Sequence, residues 1–164
     1  MTERVFVALG SNLGDRTAQL DEALRRIAAL PSTSVIGVAP VIETEPLLPP
    51  DDPTPQPSYL NTVAELRTAL EPEPLLTSLK DIERAMGRVT TTRWAPRLID
   101  LDLILYGART HSSERLTLPH PGLRSRRFVL APLSHLAAEL VLADGSTVAQ
   151  HLARLTAGGR ERSS

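Results

Sequence analysis

The run Leu98-Ile99-Asp100-Leu101-Asp102-Leu103-Ile104-Leu105-Tyr106 constrains this chain more than any other stretch. Its alternation predicts a β-strand, in which residues i and i+2 share a face. Asp100 and Asp102 then point the same way, with Cα atoms roughly 6.5–7 Å apart. Ile99, Leu101, Leu103 and Leu105 are expected to face a core on the other side. Ile104 and Tyr106 are expected to continue the aspartates' face, which favours a lined cleft over a fully solvated surface. Two like charges on a half-buried face repel each other unless a cation lies between them. Arg93-Trp94-Ala95-Pro96-Arg97 stands just upstream, so cationic groups lie near the pair. Carboxylates for a hard metal with arginines beside them are the groups that handle phosphates. Alone, the pair is equally consistent with the wet face of an antiparallel strand.

The rest of the chain builds a frame around that strand. Val5 to Leu9 is a short apolar run that reads as a buried strand, ending in the turn-rich Gly10-Ser11-Asn12-Leu13-Gly14-Asp15. Leu20, Leu24, Ile27 and Leu30 recur at helical spacing, predicting an amphipathic helix from Arg16 to Leu30 that Pro31 stops. Val35 to Thr44 and Leu60 to Arg67 read as strands. Between them, Pro46 to Ser58 holds six of the fourteen prolines and forms a long loop. Pro74 opens a second helix whose buried stripe is Leu75, Leu79, Ile82 and Met86, with Gly87 just past its end. After the aspartate strand come a turn over 107–113, a short strand at Leu116–Leu118, an irregular segment from His120 to Leu130, and helices over Leu133–Leu140 and Val148–Leu155. The order β-α-β-β-α-β followed by helical material predicts an α+β sandwich, helices packed on a mostly antiparallel sheet.

Composition narrows the classes. A chain of 164 residues suits one domain, with residues from about 157 to 164 as a frayed tail. The net charge of −1 gives no electrostatic footprint for nucleic acid or an anionic membrane. No apolar stretch approaches the ~20 residues of a membrane span. Cysteine is absent, which excludes a thiol nucleophile, a thiolate metal site and a disulfide framework, and agrees with a cytoplasmic protein. There is no P-loop, and Gly10-Ser-Asn-Leu-Gly14 is not a dinucleotide fingerprint. Trp94, the only tryptophan, falls in a loop, where an aromatic ring suits stacking on a planar ligand. Glu83, the loop arginines, Tyr59, Asn61 and His120 would each pass singly for ordinary surface or strand-edge residues.

Taken together they do not. Arg93-Trp94-Ala95-Pro96-Arg97-Leu98-Ile99-Asp100-Leu101-Asp102-Leu103-Ile104 resembles the signature of the 6-hydroxymethyl-7,8-dihydropterin pyrophosphokinases of folate biosynthesis, matching each fixed position. Ala8 to Gly14, Tyr59-Leu60-Asn61, Ile82-Glu83 with Gly87-Arg88, Leu118-Pro119-His120-Pro121 and Arg126-Arg127-Phe128-Val129-Leu130 extend the likeness over almost the whole chain.

The resemblance implies a ferredoxin-like α+β fold and a diphosphotransferase that moves the terminal pyrophosphoryl group of ATP to the pterin's hydroxymethyl group, releasing AMP. It implies that Asp100 and Asp102 hold two Mg²⁺ ions on the ATP phosphates for in-line attack at the β-phosphorus. Arg88 and Arg97, with the aspartates, would form the catalytic set. Glu83, Arg88, Arg97, Arg115, Thr117, His120 and Arg126 match nucleotide positions. Thr44, Leu47, Tyr59, Asn61, Trp94, Asp100 and Phe128 match pterin positions, and no general base is assigned. The implied partners are the two small-molecule substrates, with no nucleic acid and no membrane, and a monomer is expected. Three departures bear on the lid and the nucleotide contacts: about four extra residues in the Pro46–Ser58 loop, a shortened Val89-Thr90-Thr91-Thr92, and Lys80 where a glutamine can occur. Two rival classes remain open on the residues alone: a metabolite-binding regulatory module and a generic Mg²⁺-dependent nucleotide hydrolase.

Overall fold

The structure is a computed structural model that describes residues 2–12, 14–44, 58–87 and 99–157. Leu47, Arg88, Trp94 and Arg97, the Pro46–Ser58 loop up to residue 57, residues 89–92 and the tail from 158 lie outside the described residues.

The first strand, β1 (Glu3–Ser11), runs through the middle of the main sheet. Helix α1 (Arg16–Ala28) follows, its N-terminus capped by the Asp15 carboxylate, which accepts from Ala18 N–H at 3.1 Å. The expected strand over Val35–Thr44 is two strands, β2 (Thr33–Val38) and β3 (Ile42–Thr44). Pro40 lies in the break and has no N–H to give to a ladder. Both strands pair with β4 (Tyr59–Thr68), at its two ends. Helix α2 (Pro72–Ala85) starts one proline earlier than the sequence suggests, with Pro72 rather than Pro74 in the first helical position. The aspartate strand, β5 (Asp100–Tyr106), is followed by a small hairpin of β6 (His111–Ser112) and β7 (Thr117–Leu118). The segment read as irregular up to Leu130 is already helical from Arg127: α3 (Arg127–Ala137) continues through Pro132. Helix α4 (Val148–Ala157) is the last of the described elements.

The main sheet has the order β2-β4-β1-β5, with β3 beside β4, and every pairing is antiparallel. This is the expected α+β architecture with helices on a mostly antiparallel sheet. Helices α1 and α2 cover one face, where Leu20, Ala23, Ile27, Leu75, Leu79 and Ile82 meet Val5, Val7, Leu9, Leu101 and Leu103. Helices α3 and α4 cover part of the other, where Val129, Leu130, Leu133, Ala137 and Val148 meet Phe6, Val63, Ile104 and Leu105. Each large aliphatic side chain fully buried in this way contributes about 1.5–3 kcal/mol. Edge strand β2 and the turn after it leave Ile36, Val38 and Val41 exposed. None of the described helices is long and apolar enough to cross a membrane.

Strand β5 departs from simple alternation. Its partners on β1 step from Val7↔Leu103 to Phe6↔Leu105, so Ile104 is an extra residue in the ladder, a β-bulge. The bulge reverses the faces beyond it. Leu105 lies on the aspartates' side with Ile104, and Tyr106 turns to the α1/α2 core, where its hydroxyl donates to the Leu70 carbonyl. The alternation placed Leu105 and Tyr106 the other way round. The inserted residue shifts the two-residue period by one, and no change of residue type marks it.

Candidate active site

Residues paired across a sheet share a face, so the register alone assembles the polar surface. Ile42, Asn61, Gly10 and Asp100 form one row across β3, β4, β1 and β5. Val63, Ala8 and Asp102 form the next. The apolar cluster under α3 and α4 includes Phe6, Val63, Ile104 and Leu105, with Ala8 packed at its side. At the end of this face lie Gly10, Asn61 and the two aspartates, Asp102 exposed and Asp100 half-buried. A Cβ at Gly10 would lie 2.9 Å from Asn61 Oδ1 and 3.5 Å from the Tyr59 ring, so the floor between Asn61 and Asp100 is bare backbone. Asn61 is 8% exposed, and its amide nitrogen donates to Thr44 Oγ1 at 2.6 Å. Thr44, Tyr59, Asn61 and Asp100, four of the expected pterin positions, are thereby gathered at one end of the sheet. Phe128, a fifth, sits half-buried in the first turn of α3 against the same apolar cluster, with the Arg126 guanidinium 5.9 Å from its ring centroid.

The outer edge of β5 is held by α2. Leu101, the residue between the aspartates, donates its N–H to Glu83 Oε2 at 2.6 Å and accepts Lys80 Nζ on its carbonyl at 3.2 Å. Lys80 and Glu83 are 3.4 Å apart, and the Glu83 side chain is only 2% exposed. Glu83, expected at the nucleotide, thus has its carboxylate on the main chain beside the metal candidates.

His120 docks one step further along the same edge. Its N–H donates to the carbonyl of the bulged Ile104 at 3.0 Å, and its Nδ1 accepts from Gly122 N–H at 3.0 Å. Burial, the largest influence, holds its pKa below the ordinary imidazole value; Asp102 opposes that, while Arg126 and Lys80 reinforce it. Asp102, His120, Arg126 and Lys80 therefore share one electrostatic environment. Arg115, from the β6–β7 hairpin, reaches α2, where its Nη2 donates to Thr77 Oγ1 at 3.0 Å and its Nη1 lies 3.6 Å from Glu73 Oε1. Thr117 is exposed on the same hairpin. Glu73 also takes Ser113 Oγ at 2.6 Å and lies 2.7 Å from His111 Nε2; these two contacts, in that order, lower its pKa. Glu73, His111 and the grip of Lys80 on Leu101 did not emerge from the sequence, because each depends on which residue of α2 lies over which strand edge.

The donor set on this face suits a hard cation. Two carboxylates lie two residues apart on one face beside a glycine and an alanine. Among the described residues no group of three or more His, Cys, Asp or Glu could hold a metal alone. That pattern fits Mg²⁺, which takes one or two carboxylates and fills its shell with water and substrate phosphates.

Known proteins share both the sequence and the fold. Residues 6–138 match the family described as 7,8-dihydro-6-hydroxymethylpterin-pyrophosphokinase, HPPK. The chain is 43% identical over 162 residues to the 2-amino-4-hydroxy-6-hydroxymethyldihydropteridine pyrophosphokinase of Pseudomonas aeruginosa, covering 99% of this chain and 98% of that protein. It is 42% identical over 159 residues to the protein of the same name in Methylorubrum extorquens, covering 97% and 98%. The fold matches the wild-type HPPK-DHPS of Plasmodium falciparum, solved with pterin and p-hydroxybenzoate, with a TM-score of 0.73 at 14% identity. That match takes in 96% of this chain but 42% of the Plasmodium chain, so the present chain spans less than half of the two-part protein. With the family model covering most of its length and relatives above 40% identity end to end, the chain belongs to the 7,8-dihydro-6-hydroxymethylpterin-pyrophosphokinase family.

Proposed function

We propose that this protein transfers the pyrophosphoryl group of ATP to 6-hydroxymethyl-7,8-dihydropterin, giving the pterin diphosphate ester and AMP. The observation that carries the reading is the row Asn61–Gly10–Asp100, which sets a bare backbone floor between an amide and a carboxylate in a chain of this family. A flat pterin with a rim of donors and acceptors suits that floor. Asn61 offers an amide to the rim, and Tyr59 and Phe128 offer ring faces. Asp100 and Asp102 would hold two Mg²⁺ ions, which when bound neutralise the phosphates and polarise the phosphorus under attack. Lys80 and Glu83 keep the main chain between those aspartates in place. His120, Arg115, Thr117 and Arg126 supply donors to the nucleotide. Arg88 and Arg97 complete the proposed phosphate contacts, and Leu47 and Trp94 the pterin contacts, all four outside the described residues. The hydroxymethyl oxygen attacks the β-phosphorus and gives up its proton to solvent water, the bond from the β-phosphorus to the oxygen bridging the α- and β-phosphates breaks, and AMP leaves with that oxygen. The reading places the protein in the cytoplasm, where ATP is at hand.

The deciding assay measures AMP release in the presence of ATP, Mg²⁺ and the reduced pterin alcohol. AMP that forms only with the pterin present is the expected result. AMP that fails to form, or forms equally without pterin, overturns the reading, the second outcome in favour of a nucleotide hydrolase.

A further inference from the structure

We infer that Arg16 is a positioning residue for the pterin end of the sheet: from the opposite face, its guanidinium ties the end of β3 to the start of β4 and so sets the Thr44–Tyr59 pair beside Asn61 and Gly10. The inference deepens the proposed function and rests on it only for the identity of the ligand.

Arg16 is the first residue of α1, and its main chain is fixed there. The Asp15 carboxylate caps the helix through Ala18 N–H at 3.1 Å, and the Asp15 carbonyl accepts from Gln19 N–H at 3.0 Å. Arg16 Nη1 donates to Glu43 Oε2 and to the Ser58 carbonyl, both at 2.8 Å. Glu43 belongs to β3, and Ser58 directly precedes β4. The Ser58 carbonyl lies in the same peptide plane as Tyr59 N–H, so holding one orients the other. Glu43 pairs with Leu60, which packs against the core under α1 and α2. Strand residues alternate faces, so Thr44, Tyr59 and Asn61 lie on the other side, toward the proposed pterin. Arg16 therefore acts on that end from behind it.

Neither the helix nor the sheet explains the arginine. A cation in the first turn opposes the helix macrodipole, and α1 has no acidic side chain in that turn to offset it. Strand β3 is three residues long, follows the break at Pro40 and, among the described residues, pairs with β4 alone. So short an edge strand frays readily. The groups that fraying would disturb are those of the site. Asn61 Nδ2 donates to Thr44 Oγ1 at 2.6 Å, and the Tyr59 ring lies 3.5 Å from where a Cβ of Gly10 would stand. Loss of the Thr44–Tyr59 pairing frees the Asn61 amide to turn and lets the ring shift over the floor. Of the two bonds that Arg16 makes, the ion pair to the exposed Glu43 carboxylate is the weaker. The bond from a charged donor to the Ser58 carbonyl is the one that holds.

The test uses the full-length protein and measures 6-hydroxymethyl-7,8-dihydropterin binding with Mg²⁺ and a non-hydrolysable ATP analogue present. Arg16→Met keeps the length of the stem and donates nothing; its pterin Kd is expected to rise about tenfold, the loss of one charged hydrogen bond. Arg16→Lys retains a charged donor and is expected to lose about threefold. Affinity for the ATP analogue should stay within about twofold of wild type in both, because Arg16 lies away from the aspartates. An unchanged pterin Kd in Arg16→Met, equal losses of pterin and nucleotide, or no recovery with lysine overturns the inference. Glu43→Gln should cost no more than about twofold; a loss as large as that of Arg16→Met overturns the choice of the Ser58 carbonyl. A second readout needs no ligand. The ¹H–¹⁵N resonances of the Asn61 side-chain amide, assigned with Asn61→Asp, are expected to move in Arg16→Met, and unmoved resonances overturn the inference. If those resonances move as expected while the wild type binds the nucleotide and no pterin, the proposed function falls and the hold of Arg16 on the strand ends stands.

Discussion

A side chain at position 10 would press on Asn61 Oδ1 from 2.9 Å, and Asn61 is tied to Thr44 Oγ1, so the surface beside Asp100 is kept open by the absence of a side chain. The two aspartates then differ in setting, Asp102 exposed and Asp100 half-buried, although they share a face. Replacing either by asparagine keeps the shape and one acceptor oxygen but removes a charge the proposed metal site needs. Asp100→Asn and Asp102→Asn are each expected to lower turnover by about 10²–10³-fold, a size typical of lost electrostatic stabilisation in a transition state. Urea unfolding should stay within about 1 kcal/mol of wild type, since neither aspartate is buried in the core. Normal AMP release in either variant removes the metal assignment. Asp100 and Asp102 could be picked out from the sequence as candidates because strand alternation and a family signature both mark them, and Asn61 and Tyr59 by the family likeness alone. Glu73 and the contact of Lys80 with the Leu101 carbonyl could not, since nothing local to α2 says which strand edge or hairpin its polar face will meet.

Among the elements, β5 carries the most consequence because, among the described residues, it is an edge strand. Its outward-facing backbone at Leu101, buried under α2, is paired by side chains of that helix, which satisfies the N–H and C=O and blunts the edge. Glu83→Ala leaves a buried N–H unpaired and Lys80 without its counter-ion, and is expected to destabilise the protein by about 2–4 kcal/mol in urea unfolding. Glu83→Gln retains an acceptor for Leu101 and should cost less; equal losses would deny the hydrogen bond its role. The bulge at Ile104 makes a second prediction. With Tyr106 turned into the α1/α2 core, Tyr106→Phe removes only its bond to the Leu70 carbonyl. It should cost about 1 kcal/mol of stability and leave AMP release unchanged. A loss of activity at full stability would return Tyr106 to the cleft, where plain alternation put it. The existence and order of the longer elements were legible because periodicity survives local noise, whereas β6 lies inside the stretch read as a turn. The bulge, the break at Pro40 and the helix running through Pro132 were not, because each is a tertiary decision that overrides a local rule.

At the scale of the whole molecule, the α3/α4 layer is fastened to the turn that carries His120 and Arg126. Asp144, in the connection between α3 and α4, lies 3.0 Å from His151 Nε2, 3.7 Å from Arg124 and 3.9 Å from Arg154. Arg124 belongs to the 120–126 segment, so one carboxylate ties α4 to the edge of the proposed site. The Ser146 N–H and then His151 hold the pKa of Asp144 below its ordinary value. Burial does the same for His120. Both shifts favour the deprotonated form in the folded state, so the unfolded chain takes up each proton first as pH falls. Stability should therefore decline in two windows. The first begins near the ordinary imidazole value of about 6.5 and ends at the lower native value of His120; the second begins near about 3.9 and continues below it as Asp144 protonates. Urea unfolding followed from pH 8 to pH 3 tests this directly. His120→Gln should flatten the first window and leave the second, while Asp144→Asn should weaken the second alone. Added salt should reduce only the Asp144 step, because that cluster lies near the surface and the His120 shift comes mainly from burial. A first window that survives His120→Gln would assign it to another histidine and separate acid sensitivity from the site.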